Sequence, residues 1–267
     1  MLLAFKLLLK TAAPEHAPPH LGRAVYATAL ARLGEIDPAL ARAVHDGDGP
    51  KPLTCSGLLG APPNGLLSPG HVYAVRLTAL SAEVAAALTA AFLDTPPAEL
   101  DLDGHRLRVV ETLCDPDRDG WTGQADFTAL AAQHLAQSGE QGRSVTLEFA
   151  SPTTFKSGRV HVPVPLPHLV FGSLVERWNA FSPVALSPDV RRFGAEMVAL
   201  SRYQLRSAAV GHKGEGLRVG GVGRATYTAL SGDRYWLGVL HLLAAFALYS
   251  GVGSQTTTGM GQVRVAR

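Results

Sequence analysis

The 267 residues hold only two cysteines and three methionines, and the aromatic share is 7%. Cys55 and Cys114 lie far apart without metal-ligand spacing. That argues against a disulfide framework and leaves a reducing, cytoplasmic setting as the expectation. With so few aromatic residues, the core is expected to rest on Leu, Val and Ala. Charge is sparse too. Charged residues make up 17% and the formal net charge is +2, short of the global excess that announces a nucleic-acid binder. Any polyanion must therefore be held by a local patch. Long hydrophobic runs are missing. Met1–Leu9 is apolar but holds Lys6 and stops at Lys10-Thr11, about half of what a membrane helix needs. It also lacks the leading charge and the cleavage site of a signal peptide. It reads as a buried first strand, and no membrane partner is expected. The ten histidines form no His-x-x-His or His-Glu-x-x-His, and no Cys-x-x-Cys occurs, so neither a metal nor another cofactor is expected. Asp115 to Asp119 alternates acid with other residues like a calcium loop, but the downstream glutamate is absent. No serine stands in a nucleophile elbow.

What is present is an order of elements that occurs twice. Leu2–Leu9 reads as a strand, followed by a helix from Gly22 with Val25, Ala29 and Leu33 at helical spacing. Asp37-Pro38 starts a second helical stretch reaching Val44, and Asp46-Gly47-Asp48-Gly49-Pro50 is a loop dense in turn formers. Leu53–Leu59 and Val72–Leu80 read as strands, Ser81 caps a helix through Phe92, and His105–Leu113 alternates as a strand. Beyond a polar loop and a short helix at Phe127–Ala136, the pattern returns: strand Ser144–Ala150, helix Leu169–Phe181, strands Glu196–Val210 and Val219–Leu230, helix Arg234–Tyr249, strand Gln262–Ala266. The fold class expected is α+β, as two tandem ferredoxin-like (RRM-like, βαββαβ) domains over residues 1–140 and 141–267.

The sharpest segment is Ser250–Gln262, where Gly251, Gly253, Gly259 and Gly261 stand between an apolar helix and a closing strand. Glycines there let a backbone approach a phosphate chain closely with its N–H groups turned outward. There is no Lys-Ser or Lys-Thr as in a P-loop, and the glycines follow a helix instead of opening one.

Gly-Val-Gly-…-Thr-Thr-…-Gly-Met-Gly-Gln at 251–262 resembles the C-terminal glycine-rich signature of the CRISPR-associated RAMP superfamily, and within it the endoribonucleases that process CRISPR repeat RNA. Phe149-Ala150-Ser151-Pro152-Thr153-Thr154-Phe155 is similar to that family's strand end, and Phe171-Gly172-Ser173-Leu174 with Arg177-Trp178-Asn179 is similar to the helix that follows. At the front, Asp37-Pro38, His45, Gly49-Pro50-Lys51-Pro52 and Ser56 resemble a segment in which a helix ends in a His followed six residues later by a Lys. The stretch from 81 to 140 carries almost none of this resemblance.

The resemblance implies metal-independent cutting of CRISPR repeat RNA to mature crRNA. The 2′-hydroxyl attacks the adjacent phosphate, leaving a 2′,3′-cyclic phosphate and a 5′-hydroxyl. A base and an acid must move the protons and a cation must steady the charge. His45 suits proton transfer because an imidazole titrates near neutrality, and Lys51 suits the cationic role. The family's Tyr partner falls near Leu30 here, so Tyr26, one turn earlier, and His20, at the helix start, stand as substitutes. For RNA grip the candidates are the four glycines with Lys156, Arg159, His161, Arg191, Arg192, Arg202, Arg206, Lys213, Arg218 and Arg224, either as a basic stripe or as a scattered solvated surface. Two alternatives stay open: a non-catalytic RNA-binding RAMP subunit of a CRISPR effector complex, and an unrelated small-molecule enzyme on the same fold. A homodimer is a further partner left open.

Overall fold

The computed structural model describes residues 1–18, 20–136, 141–212 and 216–266. The expected seam at residue 140 and the candidate Lys213 lie outside the described residues. By contacts the chain forms two compact units, Met1–Gln124 with Thr257–Gly259, and Ala125–Thr256 with Met260–Arg267.

In the first unit, β1 (Leu2–Lys10) leads to α1 (Gly22–Ile36) and α2 (Pro38–Asp46), then β2 (Leu53–Cys55), β3 (Tyr73–Ala79), α3 (Ala82–Leu88), β4 (Glu99–Leu102) and β5 (His105–Leu113). The strands run β2-β3-β1-β5-β4, and β1 is antiparallel to both its neighbours. Alternation decides the layers. Leu3, Phe5, Leu7 and Leu9 of β1, with Tyr73, Val75, Leu77 and Ala79 of β3, form one core with Val25, Ala29 and Leu33 of α1 and Val84, Ala85 and Leu88 of α3. Local chemistry sets the helix starts. Asp37 accepts from the Ala39 and Leu40 N–H groups ahead of Pro38, and Ser81 accepts from that of Val84. The helix expected through Phe92 is α only to Leu88 and continues as a π-turn, Thr89–Asp94. The strand expected over Leu53–Leu59 ends at Cys55.

The second unit holds α4 (Phe127–Leu135), β6 (Ser144–Thr153), α5 (Pro167–Phe181), α6 (Val190–Glu196), β7 (Val198–His212), β8 (Gly216–Ala229), α7 (Arg234–Ser250) and β9 (Val263–Val265). Its strands run β7-β8-β6-β9, all antiparallel. The short helix α4, read from sequence as part of the first half, groups with this unit because its Phe127 ring packs 5.2 Å from Trp178 and 5.8 Å from Phe246. Trp178 and Phe246 meet edge-on at 5.2 Å, and Phe171 meets Tyr227 at 5.4 Å. These rings contribute to the second unit's core, as Phe5, Phe92 and Tyr73 do to the first unit's. Helix α6, which was not expected from sequence, ends at Glu196, and the strand expected from Glu196 begins at Val198. Gly194 of α6 lets the backbone approach α5, since a Cβ there would sit 3.1 Å from the Pro167 carbonyl oxygen and the His168 Cα. Among the described residues no helix is long and apolar enough to cross a membrane.

Candidate nucleic-acid site

Three segments far apart in sequence converge in the second unit. After α7, the glycine-rich loop is pinned to the end of β6. The Ser254 N–H donates to the Thr154 carbonyl at 2.8 Å, the Gly261 N–H to that of Pro152 at 3.1 Å, and the Gln262 N–H to Ser151 Oγ at 2.9 Å. From the other side α5 holds it: Ser173 Oγ accepts the Gly253 N–H at 2.9 Å, and Arg177 Nη2 donates to the Gly253 carbonyl at 2.6 Å. Arg177 Nη1 also donates to Ser173 Oγ. Burial holds the Arg177 pKa down to about 10, with the neighbouring Glu176 pulling the other way. It still carries its charge at neutral pH, bringing a cation to the loop's backbone. Sequence reasoning quoted Ser173 and Arg177 but gave them no role. Their signal was the i, i+4 spacing that puts both on one face of α5.

The four glycines are where the chain must turn. All have positive φ, between 60° and 101°. A Cβ on Gly253 would lie 2.4 Å from the Thr154 carbonyl oxygen, so the glycine is required for this closeness whatever the loop binds. Gly251, Gly253 and Gly261 are buried, while Ser254, Gln255, Thr257, Thr258 and Gly259 are part-exposed. The part-exposed crest, not the glycines as a set, is the surface the loop offers.

In the first unit, Thr257–Gly259 lies against the start of α1 and the end of β2. Gly259 forms a parallel bridge with Ser56. A Cβ on it would be 3.0 Å from the Gly57 nitrogen and 3.3 Å from the Gly22 Cα. His20 and Tyr26 flank this contact along the chain. His20 precedes α1 and is exposed, and Tyr26 follows Gly22 by about one turn. Tyr26 is half-buried against the core, as is Leu30. Burial first, then the nearby Cys55, push the Tyr26 phenol above its usual range. Lys51 is five residues before Ser56, so it lies within about 18 Å of that bridge. His45 stands exposed in the last turn of α2, and its ring makes no hydrogen bond among the described residues. Lys51 does reach it, but through the backbone: Nζ donates to the His45 carbonyl at 2.9 Å and to that of Gly47. The ammonium caps the C-terminal end of α2.

The basic candidates separate into kinds. Arg192 is paired with Glu196 at 3.0 Å. Lys156 and His161 lie opposite each other on an exposed ribbon, Phe155–Ser157 with Val160–Val162, whose turn holds Arg159. Arg202, Arg206, Arg218 and Arg224 lie along the β7–β8 hairpin. An open concavity of about 680 Å³ is lined there by Glu148, Gln204, Arg206 and Arg224 among others. Arg264 is tied to Glu148 at 2.9 Å. Among the described residues no group of His, Cys, Asp or Glu side chains could hold a metal ion.

Residues 147–263 match the family model for the CRISPR-associated endoribonuclease Cas6, a span that contains both the strand end at 149–155 and the glycine loop. The resemblance is to Cas6. A CRISPR-associated endoribonuclease Cas6 of Mycobacterium tuberculosis (strain ATCC 25618 / H37Rv) is 36% identical over 129 residues, which are 46% of this chain and 39% of the relative. The matched stretch therefore spans about two-fifths of that relative's length. Structural likeness reaches further. A Cas6 product complex superposes with a TM-score of 0.80 at 28% identity, covering 100% of this chain and 99% of the other. Thermus thermophilus Cas6 gives 0.75 at 26% identity, covering 100% and 98%. A Cas6 substrate mimic complex gives 0.74 at 26% identity, covering 99% of each.

Proposed function

We propose that this chain is a metal-independent endoribonuclease that cuts CRISPR repeat RNA and thereby matures crRNA. The observation that carries the reading is the full-length likeness to Cas6 in product and substrate-mimic complexes, at up to 28% identity. The second unit has the element order βαββαβ with its first strand flanked by the third and fourth; in the first unit β1 lies between β3 and β5, and β4 is an added strand outside β5. We read these as tandem ferredoxin-like domains, the first carrying the active site and the second the glycine loop.

In this reading His45 moves a proton, taking it from the 2′-hydroxyl or giving it to the leaving 5′-oxygen. O2′ bonds to phosphorus as the P–O5′ bond breaks, and no metal takes part. Tyr26 and His20, close to the Gly22–Gly259 contact, are the candidates for the opposite proton transfer. Lys51 has two duties. Its ammonium holds the backbone that presents His45 and supplies positive charge next to it. The glycine-loop crest and the arginines of the second unit grip the strand. The protein acts in the cytoplasm, retaining its product or passing it to an effector complex.

The test is incubation of the pure protein with its cognate repeat RNA in EDTA, with the product ends analysed. A 2′,3′-cyclic phosphate and a 5′-hydroxyl are expected. Cleavage that stops in EDTA rejects the mechanism. Tight binding without cleavage favours the non-catalytic subunit, a reading supported by the engagement of Lys51 with two carbonyls.

A further inference from the structure

One cation in the second unit is seated differently from the rest. Gly172 is buried inside α5, where glycine is less favourable than alanine. Arg191 fills the space a methyl would take: a Cβ on Gly172 would lie 3.0 Å from Arg191 Cζ and 3.2 Å from its Nε and Nη2. The missing side chain makes a seat for a guanidinium. Arg191 itself is exposed, and among the described residues its side chain has no hydrogen-bond or ion-pair partner, unlike Arg192 on Glu196. Asp189, the acid nearest in sequence, accepts from Ser187 Oγ at 3.3 Å.

The position matters as much as the freedom. Ser173, next to Gly172, accepts the Gly253 N–H. With adjacent Cα atoms about 3.8 Å apart, the guanidinium lies on the order of 10 Å from the loop backbone. A planar cation with its donors unused suits a phosphate held by two parallel hydrogen bonds. Its contact with the helix restricts the side chain beforehand, so less entropy is lost on binding.

We propose that Arg191, seated on Gly172, binds a backbone phosphate of the RNA strand held by the glycine loop. This rests on the proposed RNA function and assigns one of its contacts to a residue pair. Gly172 is the positioning residue and Arg191 the binding residue. Phosphate contacts give affinity and register without reading sequence, so the pair serves any strand laid along the loop.

The experiment titrates fluorescently labelled cognate repeat RNA with wild type, Arg191→Met, Arg191→Lys, Gly172→Ala, the Gly172→Ala/Arg191→Met double variant and an Arg106→Met control, at several salt concentrations. Arg191→Met should weaken binding about tenfold and reduce the salt slope by about 1. Arg191→Lys should recover part of the affinity. Gly172→Ala should melt at or above the wild-type temperature yet bind several-fold more weakly, and it should add nothing in the Arg191→Met background. Arg106→Met should stay within about twofold of wild type, since Arg106 is an exposed residue of the first unit paired with Glu99. Wild-type affinity and slope in Arg191→Met overturn the proposal, and wild-type affinity in Gly172→Ala overturns the seat. A wild-type protein that does not bind the repeat overturns the function itself, which separates the two failures.

Discussion

Two glycines of α1 make a matched pair with opposite expected effects. In Gly22→Ala the new Cβ would sit 2.0 Å from the Thr258 carbonyl oxygen, 2.4 Å from its carbon and 2.9 Å from the Gly259 Cα. All three are backbone atoms, so no side chain can swing away. In Gly34→Ala the nearest atom is the Ala41 Cβ at 3.6 Å, an ordinary contact. Helix propensity favours alanine at both by up to about 1 kcal/mol. At Gly34 nothing opposes it, and a gain of about 0.5–1 kcal/mol follows. At Gly22 overpacking opposes it with about 1–3 kcal/mol, and the clash wins. The expected net loss of about 1–2 kcal/mol lowers the melting temperature by roughly 2–8 °C. The larger effect is on the reaction. Relief requires Thr258–Gly259 to shift by about 1 Å, and misplacement of that size costs roughly 10²-fold in rate. Thermal melts and single-turnover cleavage of the repeat RNA measure both. If Gly22→Ala melts like Gly34→Ala and cleaves like wild type, then Gly259 does not need its place beside α1.

His45→Ala should lower cleavage by roughly 10²–10⁴-fold while RNA affinity barely changes, because affinity is spread over many phosphate contacts. A wild-type rate in that variant moves the role to His20 or Tyr26. Lys51→Ala should lose less rate and somewhat more affinity, with Lys51→Arg recovering part of the rate in the same assay. Burial pushes the Cys55 thiol well above its usual range. An aromatic disulfide reagent should therefore modify Cys114 in the folded protein and reach Cys55 only on unfolding; two fast thiols would refute this. The His134 pKa is lowered by burial and then by His241, so as pH falls through about 6.5 the unfolded chain takes up the proton first. Stability held above that pH is lost below it, and His134→Gln should flatten the fall in melting temperature between about pH 7.5 and 5.

Local chemistry was enough to read most of the elements. Alternation in Leu2–Lys10 and His105–Leu113, the Asp37-Pro38 start and the Ser81 cap are each written in adjacent residues, because period and capping act within a turn or a pleat. The glycine loop was legible for the same reason. Strand breadth and packing are not local. The strand expected to Leu59 stops at Cys55, and α6 forms ahead of another strand with α5 packed against its Gly194. The grouping of α4 follows from Phe127 meeting Trp178 and Phe246, partners dozens of residues away. The site divides along the same line. Residue types suited to acid–base work and phosphate binding were visible at His45, Lys51 and the loop. Only tertiary structure turned Lys51 toward the His45 carbonyl, placed Ser173 and Arg177 under Gly253, and left Arg191 on Gly172 without a partner among the described residues while Arg192 is paired. A sequence fixes which groups a chain has, and the through-space distances that decide which are satisfied and which remain free for a ligand exist only once the chain has folded.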